Sequence, residues 1–163
     1  YKWSGGVLAA DGNIYGIPNN ATQVLRFDPR TKQSTLVGDK LPGAGKWDGG
    51  VVAADGNIYG IPRDAKQVLC FDPTTQQATL VGAELPGDFR WTGGKWLNGV
   101  LAADGNIYGI PSNATQVLRF IPPPPDNDTQ VLRFDTRTQQ AADAVSAYEA
   151  TLVGDQLPGP NKW

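Results

Sequence analysis

The apolar residues of this chain fall in short runs separated by turn residues. In the first 45 residues these runs, which we predict to be four strands, are Gly6–Ala10, Asn13–Ile17, Gln23–Phe27 and Ser34–Val37. The first two are separated by Asp11-Gly12, and an Asp-Gly pair favours a type I′ hairpin turn. Asp28-Pro29-Arg30-Thr31 ends the third run and favours a type I turn.

The same pattern returns twice along the chain, at spacings of 44 and 49 residues. The stretch from Lys2 to Pro18 is matched by Lys46–Pro62 and again by Lys95–Pro111. We therefore predict three units, residues 1–45, 46–94 and 95–161, with residues 162–163 opening a fourth. The third unit carries insertions near 121–128 and 141–149, and we expect the chain to be a segment of a longer repetitive protein.

The first strand of each unit is apolar without alternation, as in Val7-Leu8-Ala9-Ala10, which indicates burial on both faces. Four short antiparallel strands in about 44 residues are typical of a β-propeller blade, whose sheets pack face to face. A solenoid is the main alternative, but its rungs are usually shorter and rarely built from hairpins. We predict an all-β fold of three four-stranded antiparallel blades, with the ring incomplete because three blades cannot close it.

Two motifs carry a resemblance to known families: the Gly5-Gly6 pair and the Asp-Gly-Asn-Ile-Tyr-Gly turn that begins at Asp11. With them the unit resembles propellers of the kelch and NHL type, which use one repeat per blade. The kelch pattern places its Tyr and Trp at other spacings, and the WD40 dipeptides are missing. The resemblance implies a ring of blades used mainly to bind protein, sugar or small ligands, and occasionally for catalysis. It carries over no catalytic residue.

The amino-acid composition excludes several classes of function. The net charge is −2, the pI is about 5.0, and only 14 Lys and Arg are spread along the chain, so we expect no nucleic-acid partner. The chain has no His and one Cys, which excludes histidine-based catalysis and an internal disulfide, and we expect no metal and no cofactor. No run of about 18 apolar residues is present, so we expect no membrane insertion.

One tryptophan recurs at the start of every unit: Trp3, Trp47, Trp96 and Trp163. Such a set could stack on sugar faces, as in repeat lectins. It could equally be a structural aromatic between blades, which we favour because every unit needs the same packing.

Repeated carboxylates are the other candidate for chemistry. Asp11, Asp55 and Asp104 each stand in an Asp-Gly turn, where Asp is favoured for backbone reasons, so we interpret them as turn residues rather than metal ligands or acids and bases. The same reasoning applies to Asp28, Asp72 and Asp135 after the third strand, and we interpret Asp126-Asn127-Asp128 as a solvated loop.

Three N-glycosylation sequons begin at Asn20, Asn113 and Asn127. The first two fall in the same loop of different units, and the third lies in an insertion. Either the sequons are occupied or repetition has copied a triplet without a role. If they are occupied, the protein is extracellular or at the cell surface.

Three further features have plain structural interpretations. Pro122–Pro125 favours a stiff polyproline II spacer, and Ala141–Glu149 could form two helical turns. Cys70 stands where the other units have Arg26 and Arg119, and we expect it to be inert unless it bridges two molecules. We expect these arginines and Arg133 to make hydrogen bonds between blades.

Three functions remain open from the sequence. The first is a non-enzymatic extracellular structural or assembly protein, glycosylated and part of a filament or a larger propeller, whose partners are copies of itself or further blades. The second is a propeller that binds glycans or proteins, with weak repeated sites strengthened by multivalency. The third, a propeller hydrolase or lyase, would depend on turn carboxylates and on Tyr15, Tyr59 and Tyr108.

Overall fold

The computed structural model describes residues 1–86, 93–125 and 148–157, and every regular element within them is a β-strand. Several predictions fall outside these residues: those for Trp163, Asn127 and its acidic cluster, Arg133, Asp135, the opening of a fourth unit, and nearly all of the two helical turns.

Twelve strands form three sheets. The first sheet contains β1 (Trp3–Leu8), β2 (Ile14–Pro18), β3 (Val24–Asp28) and β4 (Gln33–Val37). The second contains β5 (Trp47–Val52), β6 (Ile58–Pro62), β7 (Val68–Asp72) and β8 (Gln77–Val81). The third contains β9 (Trp96–Leu101), β10 (Ile107–Pro111), β11 (Val117–Ile121) and β12 (Glu149–Val153).

The three sheets have one topology and stack in chain order. In each, every strand pairs antiparallel with its sequence neighbour. The first strands lie side by side, with β1 against β5 and β5 against β9. This arrangement confirms the predicted all-β fold of three four-stranded blades, and we call the sheets blades 1, 2 and 3. Each blade lies within one predicted unit, while the exact unit boundaries stay a prediction.

The first hairpin turn differs from the predicted type I′ turn. Gly12 N donates to Ala9 O and Ala9 N donates to Asn13 O, each at 3.0 Å, so the loop holds Ala10, Asp11 and Gly12. Of these three only Gly12 has a positive φ, +80°. A type I′ turn needs positive φ at both central residues, whereas a type I turn followed by a left-handed glycine needs one. The longer loop also ends β1 at Leu8 rather than at Ala10.

The first strand of each blade contains a bulge at one equivalent position. Gly5, Gly49 and Asn98 occupy it with φ of +71°, +69° and +57°. Asn replaces Gly there because it tolerates the left-handed region better than other side chains do. Close contact also restricts the position, since a Cβ on Gly5 would lie 3.1 Å from Gly49 Cα in the next blade.

The hydrophobic core lies between blades rather than inside any one of them. One cluster joins Tyr15 and Ile17 of blade 1 to Ile58 and Phe71 of blade 2. A second joins the equivalent face of blade 2 to blade 3. Tyr15 meets Phe71 with ring centroids 5.4 Å apart, and Tyr59 meets Phe120 at 5.0 Å. A four-stranded sheet this short has no interior of its own, so the blades are stable only when stacked.

Candidate interaction site

The recurrent tryptophans lie at the seams between blades. The indole N–H donates to a backbone carbonyl 20 residues further on in all three blades: Gln23 O, Gln67 O and Gln116 O, at 2.8–2.9 Å. Trp47 and Trp96 are buried, and Trp3 is half-buried because no blade precedes it among the described residues. Their role stays a prediction, but buried indoles with satisfied N–H groups suit packing better than stacking on sugar.

Sequence reasoning missed the lysine that precedes each tryptophan. Lys46 is buried, and its ammonium group donates to Asn19 O, Ala21 O and Gly43 O at 2.8–3.0 Å. Lys95 is fully buried and donates to Ala65 O of the preceding blade at 2.7 Å. Burial lowers the pKa of Lys46. The recurrence of Lys-Trp at every unit start was the available signal, and these lysines hold adjacent blades together.

The repeated turn carboxylates accept hydrogen bonds from residues of their own hairpins. Asp55 accepts hydrogen bonds from Asn57 N at 3.0 Å, Asn57 Nδ2 at 2.9 Å and Tyr59 Oη at 2.6 Å. The same three bonds recur at Asp11 and at Asp104. Burial and the hydrogen bond to Asp11 raise the pKa of Tyr15 to about 12, so this phenol stays protonated. Each carboxylate has the contacts of a structural turn residue.

Two of the sequon asparagines lie at one equivalent position. Asn20 is exposed; its Nδ2 donates to Tyr1 O and its Oδ1 accepts from Gly45 N, each at 2.8 Å. Asn113 is half-buried, and its Nδ2 donates to Gly94 O at 2.9 Å. Both amides tie a loop to the segment that precedes the first strand of a blade. Glycosylation at these residues stays a prediction.

Blades 1 and 2 differ at the arginine position of the third strand. Arg26 Nε is buried and has no hydrogen-bond partner among the described residues. The expected hydrogen bonds between blades stay a prediction. Cys70 is buried, and burial raises the pKa of its thiol. Beside it lies Tyr148, whose ring stacks on Phe120 with centroids 6.1 Å apart. The smaller Cys thus leaves room for an aromatic that blade 3 brings from the edge of its insertion.

A polar cavity of about 510 Å³ lies at the turn end of blade 1. It is lined by Asp11, Gly12, Asn13, Arg26, Asp28, Pro29 and Arg30. Asp28 accepts a hydrogen bond from Arg30 N at 2.8 Å. The two carboxylates that line the cavity, those of Asp11 and Asp28, therefore both belong to turns. Among the described residues no group of three or more Cys, Asp or Glu side chains is placed to hold a metal ion. No helix in these residues is long and apolar enough to cross a membrane.

The two outer faces of the stack carry exposed apolar residues whose counterparts are covered in the internal seams. We name the outer side of blade 1 the leading face, formed by Gly6, Leu8, Ile14 and Phe27. We name the outer side of blade 3 the trailing face, formed by Val100, Tyr108, Ile110 and Val117. The equivalent residues of blade 2 are buried or partly buried against blades 1 and 3. These faces are the candidate site.

Comparison with known proteins supports the fold and leaves the family open. No protein-family model and no curated protein sequence matches the chain. Among solved structures, it is similar to an auxiliary nutrient binding protein from Bacteroides thetaiotaomicron, with a TM-score of 0.60 and 14% identity over 98% of this chain and 33% of that one. It is also similar to catalytically inactive virginiamycin B lyase from Staphylococcus aureus with quinupristin, with a TM-score of 0.57 and 15% identity over 72% of this chain and 37% of that one.

These neighbours are propeller-type repeat proteins, and three four-stranded blades match that architecture. The chain is therefore a β-propeller-type repeat protein whose described blades leave the ring open. It spans about a third of the length of these neighbours. The neighbours include an enzyme and a binding protein, so at this level of identity they show the fold and assign no activity.

Proposed function

We propose that this chain is a non-enzymatic structural repeat protein that assembles with further blades through its leading and trailing faces. The observation that carries the proposal is the contrast between these faces and their internal counterparts. Ile17 and Ile61 are 0% and 1% exposed between blades, whereas Ile110 of the trailing face is 49% exposed. Repeat arrays need end faces that are polar or covered, and the described blades leave apolar residues exposed at both ends of the stack.

The repeated polar groups support a structural role. The carboxylates of Asp11, Asp55 and Asp104 each hold three donors within a turn. The indole N–H groups and the Lys46 ammonium bind backbone carbonyls. A general acid or base must be free to exchange a proton with substrate. These groups instead hold the turns and seams together.

Sedimentation velocity over a wide range of protein concentration tests the assembly role. We expect the sedimentation coefficient to rise with concentration, because apolar faces bury more surface as copies associate. A single monomeric species at every concentration would contradict the proposal. Electron microscopy of the associated sample then separates a closed ring from a filament of stacked blades.

We further propose that the assembly is extracellular or at the cell surface and carries N-linked glycans at Asn20 and Asn113. Thr22 and Thr115, the third residues of these sequons, are exposed. Intact mass before and after enzymatic deglycosylation of secreted protein tests this. We expect the glycan mass to fall in Asn20→Gln and Asn113→Gln, and an unmodified mass for the wild type would refute it.

A ligand-binding propeller is the second candidate, and the cavity beside Arg26 favours it. The cavity volume of about 510 Å³ would admit a small sugar or acid. A glycan array and a thermal-shift screen test this role, with Arg26→Ala as the variant and Lys32→Ala as the surface control. Binding that Arg26→Ala removes and Lys32→Ala keeps would favour this candidate. Binding that neither variant changes would exclude the cavity as its site.

A further inference from the structure

The two internal seams of the stack share one interlocking contact. A Cβ on Gly50 would lie 2.7 Å from Ile17 Cδ1, and a Cβ on Gly99 would lie 2.6 Å from Ile61 Cδ1. Neither glycine has a positive φ. Glycine is required at both positions because the isoleucine of the preceding blade fills the space where a side chain would stand.

Each end of the stack presents one half of this contact. On the trailing face, Ile110 is the equivalent isoleucine, and no glycine of a following blade faces it among the described residues. Val100 beside it is 55% exposed. On the leading face, Gly6 is the equivalent glycine, and among the described residues a Cβ there would approach only Ile14 Cγ2 of its own blade, at 3.3 Å. Ile14 is 37% exposed, whereas its equivalents Ile58 and Ile107 are fully buried.

Polar groups at the ends are placed to complete the same seam. Lys2 is exposed, although its equivalents Lys46 and Lys95 donate to carbonyls of the preceding blade. At the first seam Asp39 Oδ2 accepts from Ala78 N at 3.4 Å. Asp155 and Ser34 are the matching residues of the trailing and leading ends, and both are exposed.

We propose that the trailing face of one copy docks on the leading face of a second copy, with Ile110 entering the space above Gly6 and Lys2 donating to Ala114 O. The internal seams supply the geometry, so the occupant is another blade of this kind. The contact joins two different surfaces and is therefore heterologous, which leads to a closed ring or an open filament. This inference rests on the proposed assembly function and adds its direction.

Two singly blocked variants test the direction. Gly6→Glu blocks the leading face and Ile110→Glu blocks the trailing face, while each leaves the opposite face intact. Head-to-tail docking predicts that each variant alone is monomeric at concentrations where the wild type associates. It also predicts that an equimolar mixture forms a dimer with one copy of each. Sedimentation equilibrium and native mass spectrometry measure both results.

Other outcomes separate this inference from the proposed function. Homodimers of Ile110→Glu, or a mixture that stays monomeric while the wild type associates, would overturn the direction and leave assembly standing. A wild type that never associates would overturn both. Should Gly6→Glu fail to fold by circular dichroism, Lys2→Met replaces it; we then expect at least a tenfold higher concentration for half-association, and an unchanged value would count against the docking.

Discussion

At the scale of single residues, each first hairpin is closed by one carboxylate that satisfies three donors. Asp55 binds the backbone and side chain of Asn57 and also the hydroxyl of Tyr59. Tyr59 is fully buried, so its hydroxyl has little access to water as an alternative partner. The network links turn geometry to the seam between blades, because the same tyrosine ring packs against Phe120.

Removing the hydrogen bonds of the Asp55 carboxylate should lower the stability of the protein, although the turn itself faces solvent. We expect Asp55→Asn to reduce the free energy of unfolding by about 1–3 kcal/mol, because an amide keeps one acceptor oxygen and sets an NH₂ group against donors. Urea denaturation measures the change. Glu84→Gln is the control, since the ion pair of Glu84 with Lys66 at 3.2 Å is exposed and its loss should change stability little. Full additivity of Asp55→Asn with Tyr59→Phe would contradict the coupling.

The turn carboxylates also predict how stability depends on pH. The hydrogen bond from Tyr108 lowers the pKa of Asp104, and the backbone N–H of Arg30 lowers that of Asp28. A carboxyl whose folded pKa is depressed adds stability above its unfolded pKa, near 3.8, and that stability is lost as the pH falls through the folded value.

We therefore expect the urea midpoint to be nearly constant from pH 7 to about 5. It should decrease once the pH is lower than about 4. Asp104→Asn should show a smaller decrease over the acid range, because its amide does not titrate there. Monitoring intrinsic fluorescence at each pH gives the midpoint. A midpoint that rises on acidification would mean that these carboxyls have raised pKa values in the folded protein.

At the scale of strands and seams, glycine controls how closely blades approach. Gly50 and Gly6 are equivalent residues of β5 and β1 with ordinary backbone angles. Only Gly50 faces an isoleucine from a preceding blade. The pair therefore separates the effect of contact between blades from the effect of adding a methyl group to a strand.

Gly50→Ala should be destabilising and Gly6→Ala nearly neutral. The methyl group added at position 50 would meet Ile17 Cδ1 at 2.7 Å and Cγ1 at 2.9 Å, so the Ile17 side chain or its blade must shift. Overpacking of this kind costs about 1–3 kcal/mol. Thermal unfolding at low protein concentration compares the two variants without assembly. Equal changes in both would show that the seam does not depend on this contact.

The strands were predictable because each unit contains turn-forming residue pairs at its strand ends. Asp-Gly and Asp-Pro pairs divide the apolar runs, and all four strands of blade 1 appear within three residues of their predicted starts. Asp11 and its equivalents are turn residues, as local sequence favours. Their bond to a tyrosine four residues later was not foreseen, because it needs the three-residue loop rather than the predicted two-residue turn.

The seams were less accessible to sequence reasoning, since they depend on how one blade is placed against another. Nothing local distinguishes Gly50 from Gly6, or buried Lys46 from exposed Lys2. The difference arises only because blade 2 has a predecessor among the described residues and blade 1 does not. Tyr148 beside Cys70 is a similar case, because an inserted segment supplies it to another blade's third strand.

At the scale of the whole molecule, stability should depend on position in the stack. Blade 2 has both faces covered, and every residue of β6 is buried. The equivalent strands of the outer blades, β2 and β10, each keep one exposed residue. In a repeat array each unit is stabilised by its neighbours, so the outer blades should open more readily than the central one.

Hydrogen exchange followed by mass spectrometry measures this gradient. In dilute protein we expect the amides of β6 to exchange more slowly than those of β2 and β10, because opening blade 2 exposes two seams and opening an outer blade exposes one. At concentrations that favour association, docking covers the outer faces, and exchange in β2 and β10 should slow towards that of β6. The Gly6→Glu variant is the control, since its exchange should not change with concentration. Equal exchange in all three blades of the dilute protein would show that the stack unfolds as one unit and that covered faces do not set its local stability.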